Sequence, residues 1–442
     1  MIERDEVFRI RTRRTPGTLA RVLAAIGEHG AHIGEIETIA ITRAFNIRDV
    51  TVLAPNDDAV EAIRASIAAL DGVDLVAQSI DKVFAVHEGG KIAVRSTVEV
   101  RNLLDLREVY TPGVARVARA IERDPALADR YTWRGRTIAI VSDGSRVLGL
   151  GDVGPLAALP VMEGKALFYS QLVDLNAVPL VLDVHDPAEI AETVARIAPG
   201  FGGIHLEDIA SPGVYEVERL LMERLDVPVL HDDQHGTAVV VMAAVLSAAR
   251  LLDREPATLC FGQVGLGAAG SAIAHLARSF GFTRVVAYDP DPRAIERLEE
   301  ISSREPTPLQ ATSDPSGLET VMDAADVVVL TTGRAGLLRS ESVRAGQVIM
   351  AITNPIPEIT IEEALEAGAA IATDGSIVNN VLAYPGLFKG ALAAGARTIT
   401  VAMKRAAAEA LSAMATDDAL LPDALDRRVH ALVAERVAAA AG

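Results

Sequence analysis

Cysteine is nearly absent from this chain: Cys260 is the only one among 442 residues. No disulfide can form within the chain, so a reducing, cytoplasmic setting is the expectation. Cys260 lies in the apolar run 257–261, where inert packing is a simpler role than nucleophilic attack. Aromatic residues are scarce, at 4%, while half of the residues are apolar. That composition excludes a disordered chain and describes a globular one rich in Ala, Val and Leu. Basic residues are in deficit, 42 Lys and Arg against 60 Asp and Glu, for a net charge of −18. This balance argues against nucleic acid or an anionic membrane as partner. An anionic substrate would then need a locally positive site or a metal. Long apolar runs are also missing. The longest, around 238–249, is too short to span a bilayer and reads as a buried helix. The opening residues, MIERDEVF, are acidic and lack the apolar core of a signal peptide.

What is present begins with length, enough for roughly two to four domains. Residues 7–11 alternate like a strand, and Pro16-Gly17 opens a helix through Glu28. Strands are expected over 33–41 and 47–53, a helix over 57–70, and a strand over 73–86. The order βαββαβ is ferredoxin-like. The stretch TPGTLARVLAAIGEHGAHI resembles an ACT domain, a small effector-binding module, and Gly89-Gly90 reads as a linker.

Further on, 136–141 reads as a strand, 155–176 as a helix and 178–182 as a strand. Two acidic pairs follow, Glu207-Asp208 in GIHLEDIAS and Asp232-Asp233 in VPVLHDDQHGT. Each comes directly after a short apolar run, 201–205 or 227–230, and 212–225 between them has helical periodicity. A strand-helix-strand unit makes the two strands parallel and puts both acidic pairs at one sheet edge. Ligands of open α/β sheets bind at that edge. Four carboxylates there suit a divalent metal.

From His235 to about Tyr384, strands and helices alternate as in a doubly wound parallel sheet. The strand expected over 257–262 runs into Gly265, Gly267, Ala268, Ala269 and Gly270, then a helix over 271–280. A GxGxxG loop in that context is a dinucleotide signature, its glycines letting backbone approach a pyrophosphate at the helix N-terminus. Asp289 ends the next strand, 284–288, placed to bond ribose hydroxyls and repel a 2′-phosphate. NAD is therefore expected, with NADP the alternative because Arg293 stands nearby. No phosphate loop of the GxxxxGK[ST] kind is present, since Gly164-Lys165 is followed by Ala166. The remainder is Ala-rich and helical, with its last turns around 427–441.

Further motifs are YTPGVA at 110–115, SDGSRVLGLGDVGPLAALPVMEGKA at 142–166, AITNPIPEI at 351–359 and NNVLAYPG at 379–386. Together with EDI, HDDQHGT and the glycine loop, they resemble the malic enzymes over about 91–395. The resemblance implies oxidation of (S)-malate followed by decarboxylation, assisted by Mg²⁺ or Mn²⁺ held by Glu207, Asp208 and Asp233. It gives Lys165 as the base, Asp232 as its partner and Tyr110 as the acid that protonates the enolate. A lysine base demands a pKa depressed by burial or a neighbouring cation. Arg146 matches a carboxylate clamp. Asn354, with Asn379 or Asn380, matches amides that contact substrate, and Asn354 also faces the cofactor. His231 and His235, spaced i, i+4, read as structural instead of a zinc pair. His205 stands where a neutral polar residue is more usual, behind the metal ligands.

The expected architecture is α/β. A ferredoxin-like, ACT-type regulatory domain spans 1–88, a malic-enzyme catalytic domain 89–235, a Rossmann-type NAD domain 236–385 and C-terminal helices 386–442. The expected reaction is malate and NAD⁺ to pyruvate, CO₂ and NADH, in a homodimer or higher homo-oligomer with a small effector at the first domain. One rival is conversion of malate to lactate at the same site. Another is a non-catalytic effector sensor.

Overall fold

The first 54 residues already build three antiparallel strands. The computed structural model describes residues 4–76, 80–147, 150–302, 309–416 and 418–442, and the chain divides into two compact units, 1–94 and 95–442. In the first unit, Arg4–Arg13 pairs antiparallel with Phe45–Ala54, which in turn pairs with His32–Ile41. Val73–Leu75 and Ile80–Asp81 pair with the other side of Arg4–Arg13. Alternation along the first strand buries Phe8 and Ile10 against Val22, Ile26, Ile63 and Ile67 of helices Thr18–Gly27 and Asp57–Ala68. Asn56 caps the second helix by accepting from Ala59 N. This is the ferredoxin-like topology that the sequence implied.

One expectation fails here. The strand expected over 73–86 gives way to helix Lys82–His87 after Asp81, with 77–79 outside the described residues. Asp81 Oδ1 accepts from Phe84 N as an N-cap, and Val83, Phe84 and Val86 do not alternate as a strand would.

The second unit holds two sheets, both parallel throughout. The smaller has the order Asn176–Val181, Thr137–Ser142, Gly203–Leu206, Val229–His231. Thr137–Ser142 is buried at every position, as a central parallel strand requires. Helices Pro187–Ile197 and Gly213–Arg224 cover it through Ile190, Val194, Val214, Val217 and Leu221. The two strands that precede the acidic pairs are direct neighbours, His205 opposite Leu230.

The larger sheet runs Leu309–Thr312, Arg284–Tyr288, Cys260–Val264, Val327–Leu330, Val348–Ala351, Ile371–Asp374. In chain order this is 3-2-1-4-5-6, the dinucleotide-binding arrangement, with its switch point beside Cys260–Val264. That strand begins three residues later than the sequence suggested, because Pro256–Thr258 forms a 3₁₀ turn. Cys260 is buried and unpaired. Helix Asp232–Leu251 is long and apolar, yet mostly buried within the protein, so its apolarity is that of a core helix. Helices Leu103–Val109, Val114–Arg123 and Leu127–Tyr131, by contrast, bury no residue.

Candidate active site

Glu207 and Asp208 leave the end of strand Gly203–Leu206, and Asp233 stands in the first turn of helix Asp232–Leu251. Each offers one carboxylate oxygen, and these oxygens lie within 4.8 Å of one another. Glu207 and Asp208 are both 3% exposed. Asp208 takes φ 53°, a left-handed conformation that a non-glycine residue adopts at a cost of about 1 kcal/mol or more. Its Oδ2 is buried without a hydrogen-bond partner. Burial and neighbouring carboxylates push Asp208 up to about 8, and burial pushes Glu207 up to about 7. An orphaned buried oxygen in an all-carboxylate cluster fits a hard divalent cation, whose charge would reverse those upward shifts. The donor set is oxygen only, which suits Mg²⁺ or Mn²⁺ better than zinc.

Lys165 projects from helix Gly154–Val173 into the same place. Its Nζ lies 2.9 Å from Glu207 Oε1 and 2.5 Å from Asp232 Oδ2. It also stands 4.9 Å from the Tyr384 ring centroid, and the Tyr384 hydroxyl donates to the Lys165 carbonyl at 3.4 Å. Burial opposes the ammonium, but Asp232 and Glu207 outweigh it and hold Lys165 well above its usual value. The depressed lysine that the chemistry demands is therefore not the state of the chain by itself. Asp232 is fully buried, and any side chain at Gly236 would run into its Oδ1. That explains a glycine in the first turns of an otherwise bulky helix.

The remaining candidates lie at varying depth. Arg146 is exposed, but its N–H donates to the Asp208 carbonyl at 3.1 Å, which starts its side chain at the edge of the carboxylate cluster. Asn380 is tied to the second acidic pair, its Nδ2 donating to the Asp232 carbonyl at 3.3 Å and its Oδ1 accepting from Thr237 at 3.1 Å. Asn379 is exposed and caps Val381 N. Asn354 is exposed just past strand Val348–Ala351, with Nδ2 3.5 Å from the Gly375 carbonyl. Tyr110 ends helix Leu103–Val109 and is 66% exposed, and among the described residues no side-chain bond joins it to the Lys165 cluster. Leu148 and Gly149 of the SDGSR motif lie outside the described residues.

The glycine loop has the form the sequence implied. Gly265 takes φ +87°, Gly267 is the N-cap of helix Ala268–Ala277, and a side chain at Gly270 would strike the Gly265 carbonyl. Asp289 accepts from Leu266 N at 2.7 Å and from Asp291 N at 2.8 Å, so it pins the loop it was expected to face. Arg293 is occupied by Asp291, with Nε and Nη2 at 3.1 and 3.2 Å.

His235 accepts from Lys404 at Nδ1, 2.9 Å, and faces Glu218 Oε2 at 3.1 Å, so both ring nitrogens are engaged by protein groups. His231 Nε2 stands 3.7 Å from Asp233 Oδ2, too far for a hydrogen bond.

Sequence reasoning missed three contributors. Tyr384 lay within a quoted motif, but nothing local said its ring would cover Lys165. Tyr169 follows Lys165 by four residues, which puts both on one helix face. Glu358, fully buried, accepts from Thr332 N at 2.7 Å, Thr332 Oγ1 at 2.8 Å and Thr353 Oγ1 at 2.5 Å. It thereby clamps the loop after Val327–Leu330 to the loop that carries Asn354.

A carboxylate cluster around a largely buried lysine, in a chain that also carries a dinucleotide-binding sheet, describes a dehydrogenase. Residues 90–222 match the malic enzyme N-terminal domain, and residues 309–441 match the malic enzyme NAD-binding domain. The chain is 46% identical to NAD-dependent malic enzyme 1 of Bacillus subtilis over 433 residues, 98% of this chain and 96% of that one. It is 39% identical to the NAD-dependent malic enzyme of Geobacillus stearothermophilus over 436 residues, 95% and 91% of the two chains. The crystal structure of malic enzyme from Pyrococcus horikoshii superposes with a TM-score of 0.74 at 36% identity, covering 81% of this chain and 90% of that one. The chain belongs to the malic enzymes.

Proposed function

We propose that this protein oxidises (S)-malate with NAD⁺ and decarboxylates the product, releasing pyruvate, CO₂ and NADH. The observation that carries the reading is Lys165 set between Asp232 and Glu207, with Glu207 also part of the Glu207–Asp208–Asp233 cluster. NAD⁺ at the glycine loop would supply the hydride acceptor for malate C2, and Mg²⁺ or Mn²⁺ held by Glu207, Asp208 and Asp233 would supply a Lewis acid for the C2 oxygen.

Lys165 takes the C2 hydroxyl proton. A cation on Glu207 would offset the charge that this carboxylate presents to Lys165, and burial would then work toward the neutral amine. Asp232 holds the lysine and takes part in moving its proton. Arg146 clamps a malate carboxylate with its planar fork. Asn380, anchored to the Asp232 carbonyl, and Asn354 orient the substrate, and Asn354 meets the cofactor. Tyr110 protonates C3 of the three-carbon product. Its exposure, together with that of Leu103, Leu104 and Val109 beside it, supports a homodimer or larger homo-oligomer in which this segment is covered. Asp289 favours NAD over NADP. The unit 1–94 serves regulation by a small effector, in an enzyme of the cytoplasm.

The test is a steady-state assay of purified protein with malate, Mn²⁺ and NAD⁺ or NADP⁺, following NADH, pyruvate and lactate together. Pyruvate and NADH in equal amounts are expected, with NAD⁺ the better cofactor. Lactate formed without net NADH would replace this reading with the malolactic one, and no turnover at all would favour a sensor.

A further inference from the structure

We infer that Tyr169 and His205 form a positioning pair that orients the metal ligand Glu207, offering one oxygen to Lys165 and fixing how the carboxylate faces the cation. The inference rests on Glu207 being a cation ligand, as proposed above.

His205 is fully buried in the middle of strand Gly203–Leu206, opposite Ile140 on one side and Leu230 on the other. Its ring stacks on Phe388, 5.9 Å between centroids at 11°, and meets Tyr384 edge-on at 5.2 Å. The ring therefore has little room to turn. Nε2 lies 2.6 Å from Glu207 Oε2, and Nδ1 lies 2.8 Å from the Tyr169 hydroxyl. An ionised carboxylate can only accept, so Nε2 carries the hydrogen. A neutral imidazole then has a lone pair at Nδ1, and Tyr169 must donate to it. Full burial between Phe388 and Tyr384 favours that neutral form.

Tyr169 thus fixes the tautomer, the tautomer fixes the donor, and the donor fixes Glu207 Oε2. Glu207 Oε1 is held separately by Lys165 at 2.9 Å. Both oxygens keep a further lone pair, and the two contacts together set the rotation of the carboxylate. Tyr169 is also fully buried, 4.9 Å from Tyr384 by ring centroids, so its hydroxyl has no solvent alternative. Neither residue touches substrate in this arrangement. Both act through Glu207.

The experiment is direct Mn²⁺ binding to the full-length protein, read from the electron paramagnetic resonance signal of free and bound Mn²⁺, with NAD⁺ binding by equilibrium dialysis as control. Loss of an orienting partner behind a ligand weakens metal affinity by roughly 10–100-fold. His205→Leu, which removes the donor, is expected to fall in that range. Tyr169→Phe, which removes one hydroxyl and keeps the packing, is expected to weaken Mn²⁺ several-fold and to alter the line shape of the bound ion. His205→Gln, whose amide can still donate to Glu207, should recover part of the loss. NAD⁺ binding should be unchanged in all three. Wild-type Mn²⁺ affinity in Tyr169→Phe and in His205→Leu would overturn the inference, and Tyr169→Phe decides alone if His205→Leu does not fold. Glu207→Gln separates the two levels. If it loses Mn²⁺ while the pair variants keep it, only this inference falls. If it binds Mn²⁺ as the wild type does, the ligand assignment falls with it.

Discussion

Lys165 Nζ and Asp232 Oδ2 are 2.5 Å apart, on helices whose sequence positions differ by 67 residues. The lysine therefore carries its charge by virtue of a carboxylate that is itself fully buried. Asp232→Asn would remove the stronger counter-charge and leave the Glu207–Asp208–Asp233 cluster intact. Lys165 should then be easier to deprotonate, so the acidic limb of the kcat/KM profile should move to lower pH. Turnover should still fall, by roughly 10²-fold, as expected when a proton-transfer pair is broken. Mn²⁺ binding should persist. Asp233→Asn should do the reverse, abolishing metal-dependent turnover while sparing NAD⁺ binding. A pH profile that does not move in Asp232→Asn would separate Asp232 from the lysine's protonation.

Much of this site was legible because its chemistry is local in sequence. The acidic pairs follow apolar runs, and the short helical segment between them forces the strands parallel, so one sheet edge could be inferred from spacing alone. Gly265, Gly267 and Gly270 carry their backbone demands in the motif itself. What resisted reading depends on distant segments meeting. Glu218 reaches His231 N and His235, and Lys404 reaches His235 from far down the chain. Asp232 was visible as a partner of Lys165, but Glu207 as the second, and the balance between burial and two carboxylates, were not. Tyr110 marks a different gap: its motif is plain, yet among the described residues its side chain stays largely exposed. Lys82–His87 was misread because a mixed apolar stretch has no period strong enough to override a capping aspartate.

Glu218 gives a stability prediction with a definite sign. Burial opposes its ionisation, but the hydrogen bond from His235 and the Lys404 ammonium behind it hold the carboxyl at about 2, against an ordinary 4.5. A carboxyl lowered by folding contributes stability above 4.5 that is lost as the pH falls toward 2. Glu218→Gln should therefore cost roughly 2 kcal/mol at neutral pH, the scale of a hydrogen bond to a buried charge. The gap between wild type and variant should shrink as the pH drops below 4.5. Urea unfolding at a series of pH values checks this. A gap that stays constant would mean that Glu218 acts by packing. Lys404 gives a slope of the same sign in a different window: burial lowers it to about 8 from 10.5, so the destabilisation from burying its ammonium should be relieved as the pH rises between those two values.

The Glu358 clamp predicts a cofactor effect without any contact to the reacting atoms. Its carboxylate gathers Thr332 and Thr353 at the carboxyl ends of neighbouring strands of the larger sheet. Glu358→Ala would leave those half-buried donors without their acceptor, at a cost of about 1 kcal/mol each, less where water replaces it. The expected result is a lower melting temperature, a several-fold rise in KM for NAD⁺ and unchanged Mn²⁺ binding. Glu358→Gln, which keeps an acceptor oxygen, should lie between. If KM for NAD⁺ stays at the wild-type value in a folded Glu358→Ala protein, the two loops do not depend on the clamp.

Cofactor choice should be adjustable at an exposed pair beside the dinucleotide loop. Asp289 holds Leu266 N, while Asp291 keeps both Nε and Nη2 of Arg293. An arginine so engaged is a poor partner for a 2′-phosphate, and the carboxylate that engages it adds repulsion. Asp291→Ala would free the fork and remove one negative charge. A solvent-exposed ion pair is weak, so the released arginine should improve kcat/KM for NADP⁺ by no more than roughly five-fold. NAD⁺ kinetics should hardly change, because Asp289 and the glycine loop remain. Adding Arg293→Ala should cancel the gain. Equal changes for both cofactors would place Arg293 away from the 2′ position and leave Asp289 as the residue that discriminates.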